Sequence, residues 1–310
     1  MLTASAASSP ASANLIINAT MDPTLSSSAV AVIDSAIKFY QTTIFNPITV
    51  NIDFTNMNSG LGSSTTYEYS VPYTSYRAAL VAGASTHNDF AALAHLPSTT
   101  NNPVNGTSSV NLKSANARAV GFTGATGGTF AGSGSPCSGA YSGDSCIGLN
   151  LAITNDTIGG VPGGYSLLSV VEHEIDEALG LGSELPNTTF LGGNPSPEDL
   201  FRYSAPGVRS YAVNNSCVSP PTAYFSIDGG VTNLDSFNNC SNGGDYGDWI
   251  SYSPEQVQDA FGGSGTPMLT ISSPEFTALD VLGYNVPEPG SIAITTIALF
   301  GLAAGRRRLR

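Results

Sequence analysis

Residues 167–182 constrain this chain more than any other stretch. Leu167, Leu168, Val171, Ile175, Ala178 and Leu179 recur at helical spacing, and Gly180 and Gly182 follow where a helix would end. A helix with that apolar stripe has to be laid against a core. His173 and Glu177 stand at positions i and i+4, so an imidazole and a carboxylate are stacked on one face beside the stripe. Two neighbouring ligands of one metal ion have this spacing. Glu174, one residue on, would lean over the open coordination side, where a general base acts on water.

A blander reading competes with this one. His-Glu-x-x-Glu strings arise on helices by chance, and Glu172, Glu174, Asp176 and Glu177 also read as a solvated acidic face. Two features favour the metal reading: His173 and Glu177 lie beside the stripe, not opposite it, and the flanking glycines fit.

The rest of the composition bounds the class of protein. In 310 residues only 11% are charged, while Gly (34) and Pro (19) are plentiful, which suits a loop-rich exported chain. The net charge of −13 understates the acidity, because four of the ten basic residues, Arg306, Arg307, Arg308 and Arg310, lie at the very end. Ahead of Val286, 22 acidic residues face 6 basic ones, a net of −16. Such a surface repels polynucleotides, so no nucleic-acid partner is expected. The four cysteines fall into two local pairs, Cys137 with Cys146 and Cys217 with Cys240, in Gly-, Ser- and Asn-rich spans. Two disulfides formed in an oxidising compartment are expected, since no CxxC spacing suggests a cysteine metal site.

Periodicity predicts a helix over roughly Ser28 to Ile44, then a half-buried strand through Ile48, Val50, Ile52 and Phe54. Tyr73 to His95 reads as helix in two pieces broken near Gly83, with His87 and His95 as ordinary helix residues. Pro97 to Gly143 reads as loops with short strands, and a second alternating strand runs through Ile147, Leu149, Leu151 and Ile153. Beyond Asn187 the chain is turn-rich until a short helix near Ser273 to Tyr284. Asp228, Asp235, Asp245 and Asp248 sit in Gly/Asn turns that are candidates for calcium, without EF-hand spacing. Trp249 and its neighbouring tyrosines are expected in the core.

Several of these segments together resemble one family. The run His173-Glu174-Ile175-Asp176-Glu177 with Gly180 resembles the metzincin motif HExxHxxGxxH, with Glu177 at the second ligand position and Ser183 at the third. Asp199 to Gly207 (DLFRYSAPG) and Ala278 to Tyr284 (ALDVLGY) extend the likeness, and the last segment is similar to the terminal helix of matrixin-like and serralysin-like proteases. The tail, Val286-Pro287-Glu288-Pro289-Gly290, an apolar stretch 291–305 and the arginine cluster, resembles a PEP-CTERM sorting signal of Gram-negative bacteria. Altogether the chain is similar to a family of exported bacterial metalloproteases that carry this tail.

The resemblance implies an α+β, metzincin-like zinc-peptidase domain over 14–285. Its N-terminal part, 14–186, would hold the active-site helix, and 187–285 would form a loop-rich C-terminal subdomain. The expected activity is endopeptidase hydrolysis of protein or peptide substrates, with His173 and Glu177 as ligands and Glu174 as base. Asp199 is the first choice for the third ligand, ahead of Glu184 and Asp176. Tyr203 or Tyr284 would stabilise an oxyanion, and Met268 would form a methionine turn. Zn2+ is the expected cofactor, and the oxygen-rich ligand set leaves room for Mn2+ or Ca2+. Pro287-Glu288-Pro289 implies recognition by an exosortase, transient anchoring in the inner membrane through 291–305, and release to the envelope or extracellular polymer. Residues 1–13, ending in Ala11-Ser12-Ala13, read as the remnant of a signal peptide whose true start lies upstream. Two rival functions remain: a catalytically inactive metallopeptidase-like protein that binds a surface or matrix, and an acidic polymer component that binds divalent cations.

Overall fold

The computed structural model describes residues 14–125, 129–131, 137, 143–157, 164–186, 189–250, 254–263 and 268–287. The chain is a mixed α+β protein with open sheets. It opens with β1 (Ile16–Met21), α1 (Ser27–Thr43) and β2 (Thr49–Asn56), and β1 pairs in parallel with β2. The Ser26 hydroxyl caps α1 by accepting from the Ala29 amide, and Ala29, Val32, Ile33, Ala36, Ile37 and Tyr40 form its buried stripe. Then come β3 (Gly62–Pro72), α2 (Tyr73–Gly83), α3 (His87–His95), β4 (Ser109–Lys113), α4 (Ser114–Ala119), β5 (Thr129–Ala131) and β6 (Ser145–Leu149). The main sheet runs β1-β2-β6-β3-β4, with β5 also paired to β3. β2 and β6 are parallel, whereas β3 is antiparallel to both β6 and β4.

A two-stranded ribbon of β7 (Thr154–Asn155) and β8 (Tyr165–Ser166) leads into α5 (Leu167–Leu179). After it, β9 (Arg202–Ala205), β10 (Val208–Arg209), β11 (Tyr224–Phe225) and β12 (Asp235–Ser236) make a second sheet in the order β10-β9-β11-β12. The last helix, α6 (Pro274–Val281), returns to the first half. The Tyr284 hydroxyl donates to the Leu179 carbonyl at 2.6 Å, and Asn116 Nδ2 donates to the Leu282 carbonyl at 2.9 Å. These bonds, with the Phe276 ring 5.3 Å from Phe39, tie the end of the described chain to α1, α4 and α5.

The helices over α1, α2 and α3, the strand β2 and the closing helix stand where periodicity predicts them. Three regions differ. The predicted strand through Ile153 stops at Leu149, and Leu151 to Ile153 form a turn with Ile153 48% exposed. Its five strand residues are all buried, because α5 covers one face of β6 and the sheet flanks it on both edges. α4 forms inside a stretch read as loop. β3 opens on a polar run, Gly62 to Thr66, and apolar alternation begins only at Tyr67, Tyr69 and Val71; its buried residues include Thr65, Thr66 and Glu68. Backbone pairing holds it as a strand, with β6 over Gly62 to Thr66, β5 over Thr66 to Glu68 and β4 over Glu68 to Pro72.

Cys137 is bonded to Cys146 and Cys217 to Cys240, as the sequence pairs them. The pairing fits an oxidising, exported environment. Among the described residues no helix is long and apolar enough to cross a membrane. The apolar stretch 291–305, with Glu288 and Pro289 of the sorting motif, lies outside the described residues, as do residues 1–13.

Candidate metal centre

The helix α5 is set by local chemistry at both ends. Ser166 caps its start by accepting from the Ser169 amide, and Gly180 closes it with a φ of +144° that a side chain would resist. Its side-chain environment is not that of an amphipathic surface helix. Every residue from Leu167 to Leu179 is buried except His173, which is half-buried. The solvated acidic face is therefore absent: Glu172, Glu174, Asp176 and Glu177 are all buried. Buried carboxylates without cations are costly, so this helix carries charge for a reason other than solubility.

His173, Glu174 and Glu177 open onto a cleft of about 550 Å³. One wall is Gly60 to Ser64, at the entry to β3; the other is formed by Gly243 to Asp245, Asp248, Gln256, Val257 and Asp259 to Gly263. Gly62 leaves room for the Glu174 carboxyl here, since a Cβ would meet Glu174 Oε1 at 2.3 Å and Val170 Cγ1 at 2.7 Å and force those side chains to shift. That close approach lets the strand lie directly over the helix.

The donors converge on one point. His173 Nε2 lies 3.8 Å from Glu177 Oε1 and 3.8 Å from Asp248 Oδ1, and ligand atoms of all three residues fall within 4.8 Å of one another. The other ring nitrogen, Nδ1, faces the Val257 carbonyl at 3.0 Å, and donation to that oxygen leaves Nε2 as the ligating atom. Glu177 is steadied through its second oxygen, which accepts from the Ser64 hydroxyl at 2.5 Å.

Asp248 is delivered by a packed loop. Its neighbour Trp249, the only tryptophan, is fully buried with ring centroids 5.8 Å from Phe225 and 5.1 Å from Phe237. Trp249 Nε1 donates to Glu275 Oε1 at 3.2 Å, which ties the loop to α6.

The electrostatics describe a pocket short of positive charge. Burial, and then the charge of Glu177, push the Glu174 carboxyl well above the usual carboxylate range. Burial pushes Asp248 up to about 7, against the pull of His173. Asp245, on the cleft wall, is raised first by Glu177 and then by burial. Burial pulls the His173 imidazole down, but Asp248, Glu174 and Glu177 together outweigh it and lift it to about 10. Among the described residues no lysine or arginine lines the cleft. One neutral imidazole nitrogen and two carboxylate oxygens would balance a dication, and that mixed set suits Zn2+ or Mn2+.

The expected third ligand is elsewhere. Asp199 Oδ1 accepts from the Ser183 hydroxyl at 2.6 Å, and its Oδ2 accepts from Ser196 N at 3.0 Å, Ser196 Oγ at 3.0 Å and Glu184 N at 3.2 Å. With both oxygens engaged, Asp199 pins the chain after α5 and does not join His173 and Glu177. Asp248, visible in the sequence only as one of several turn acids, is the carboxylate that stands with His173 and Glu177. Tyr284 is committed to the Leu179 carbonyl and Tyr203 packs on Arg209, so neither lines the cleft; Tyr165 does. Met268 is 49% exposed, not packed beneath the centre.

No protein-family model, curated protein or solved structure matches this chain.

Proposed function

We propose that the protein is an exported, metal-dependent endopeptidase in which His173, Glu177 and Asp248 hold one divalent cation and Glu174 is the base. The observation that carries this reading is the convergence of those three donors at the floor of an open cleft, with a buried carboxyl of raised proton affinity next to them. A bound dication supplies Lewis acidity toward a peptide carbonyl. Glu174 takes a proton from the attacking water and returns it to the leaving amine, a role for which a carboxyl of elevated pKa is suited. Positive charge at Glu177 would offset part of the lift on Glu174 and bring it toward the working range. His173 is held in its ligating tautomer by Val257, and Tyr165 and Ser63 offer hydroxyls on the cleft lining that can face a developing oxyanion.

The metzincin likeness of α5 supports the same reading, the sorting tail supports export by way of an exosortase, and the two disulfides accord with an oxidising, exported environment. A second reading, a cation-binding surface or matrix protein without hydrolysis, is favoured by the lack, among the described residues, of any lysine or arginine along the cleft to stabilise an oxyanion.

Plasma mass spectrometry and a peptide-library digest separate the two. The endopeptidase reading expects about one transition metal per chain, lost in His173→Ala and kept in Glu174→Gln, with cleavage abolished in both. Metal retention with no cleavage by the parent protein would leave the binding protein. No stoichiometric metal after reconstitution would overturn both.

A further inference from the structure

Gln258 is fully buried and stands inside the donor cluster. Its Nε2 donates to Asp248 Oδ1 at 3.0 Å and lies 3.2 Å from His173 Nε2. Its Oε1 is buried with no hydrogen-bond partner among the described residues. An orphaned amide oxygen in so closed a position is costly, and cores rarely retain one without use.

The residue is clamped along its backbone. Its N–H donates to Glu275 Oε1 at 3.0 Å and its carbonyl accepts from Trp249 N at 2.9 Å. The adjacent Val257 carbonyl holds His173 from the other side of the ring. A half-turn of the carboxamide exchanges its nitrogen and oxygen at nearly the same positions.

We propose that Gln258 is a fourth donor to the cation, through its side-chain oxygen. The inference rests on the metal site proposed above. In the present orientation the NH2 group fills the corner between His173 Nε2 and Asp248 Oδ1, and its hydrogens exclude a cation. After the half-turn the oxygen takes that corner. An imidazole nitrogen, two carboxylate oxygens and an amide oxygen then face one point, an arrangement stable only around a positive centre. The vacated position passes to the NH2 group, so one polar atom lacks a partner in either orientation. Positive charge at that point, not the exchange itself, therefore drives the turn. An amide oxygen adds no charge, so the set remains neutral overall with a dication, and it favours hard, oxygen-accepting ions alongside zinc.

The test is the affinity of the full chain for Zn2+ and for Mn2+, measured by chelator competition, in the parent protein, Gln258→Ala, Gln258→Glu and His173→Ala. Gln258→Ala should weaken binding by about tenfold or more, the scale on which loss of a ligand-shell group acts. Gln258→Glu, which keeps the shape and the oxygen, should bind at least as tightly as the parent. The visible spectrum of the Co2+-loaded protein should change in Gln258→Ala and be largely recovered in Gln258→Glu. Far-UV circular dichroism in chelator reports whether each variant folds, and Gln258→Glu carries the test alone if the alanine does not. Unchanged or tighter binding in Gln258→Ala, with His173→Ala still defective, would show that the amide only plugs the cation-free site. Weaker binding in Gln258→Glu than in the parent would show the same. Absence of binding in the parent, or full binding in His173→Ala, would remove the metal site and this inference together.

Discussion

Replacing Asp235 by asparagine should stabilise the cation-free protein at neutral and alkaline pH and leave it unchanged in acid. Asp235 lies on β12, 9% exposed, and its Oδ1 accepts from Ser236 N at 2.7 Å. Burial pushes its carboxyl up from 3.8 to about 6, with the Ser236 amide opposing. The sign follows from proton linkage. Between those two values the folded chain holds a proton that the unfolded chain has lost, so raising the pH destabilises the fold. Below that window both states are protonated and there is no penalty; above it the penalty is complete. At about 1.4 kcal/mol per pH unit, the full cost is on the order of 3 kcal/mol. Relaxation around the carboxyl would reduce that toward about 1 kcal/mol. Asparagine keeps the acceptor oxygen and never ionises, so it escapes the cost. Urea denaturation in chelator at about pH 3 and about pH 8 measures it. The parent and Asp235→Asn should coincide at the lower pH, and the variant should be more stable at the higher. An equal difference at both values, or a more stable parent at pH 8, would refute the reasoning. The parent should also lose stability steadily across this range, since burial lifts Glu172 and Asp259 to about 7 each in the same direction.

Other perturbations probe the architecture of the cleft. Gly62→Ala should lower stability by about 1–3 kcal/mol in thermal denaturation, as overpacking does, and slow peptide cleavage by displacing the Glu174 carboxyl while the chain still holds its metal. Arg202 is fully buried, donates to the Tyr246 carbonyl and to Asn239 Oδ1, and stacks 4.0 Å over the Phe237 ring. Arg202→Met should cost about 3–5 kcal/mol in urea denaturation, because the Asn239 and Tyr246 acceptors would be left unpaired and Asp199 would lose its nearby cation. Converting Cys217 and Cys240 to serine opens a loop of 23 residues' separation and should cost about 3 kcal/mol, read as a lower denaturation midpoint without loss of metal.

Much of the helical framework was legible because it rests on local rules. The stripe and glycine stop of α5, the break between α2 and α3, and the spacing of His173 and Glu177 all follow from the pitch of a helix and the conformational freedom of glycine. The strands were less legible where pairing outweighs pattern. β3 begins Gly62-Ser63-Ser64-Thr65-Thr66, and nothing in that polar run announces a strand. α4 is only one turn and a half of small and polar residues inside a Gly/Ser-rich region, so its periodicity has no apolar signal.

The third donor was illegible for a different reason. Asp199 lies close to α5 in sequence, but Ser183, Glu184 and Ser196 consume its oxygens. Asp248 lies far along the chain in a turn like several others. Its selection depends on Trp249 settling between Phe225 and Phe237 and on Glu275 reaching from α6. Taken alone, the sequence determined that one helix would present an imidazole and a carboxylate on the same face, because backbone geometry fixes neighbours three and four residues apart. Only the tertiary structure decided that its acids would be buried, that Gly62 would bring β3 against Glu174, and that Asp248 and Gln258 would lie beside His173. Those outcomes depend on which distant segments share a core, and long-range packing leaves no periodic trace in the chain that produces it.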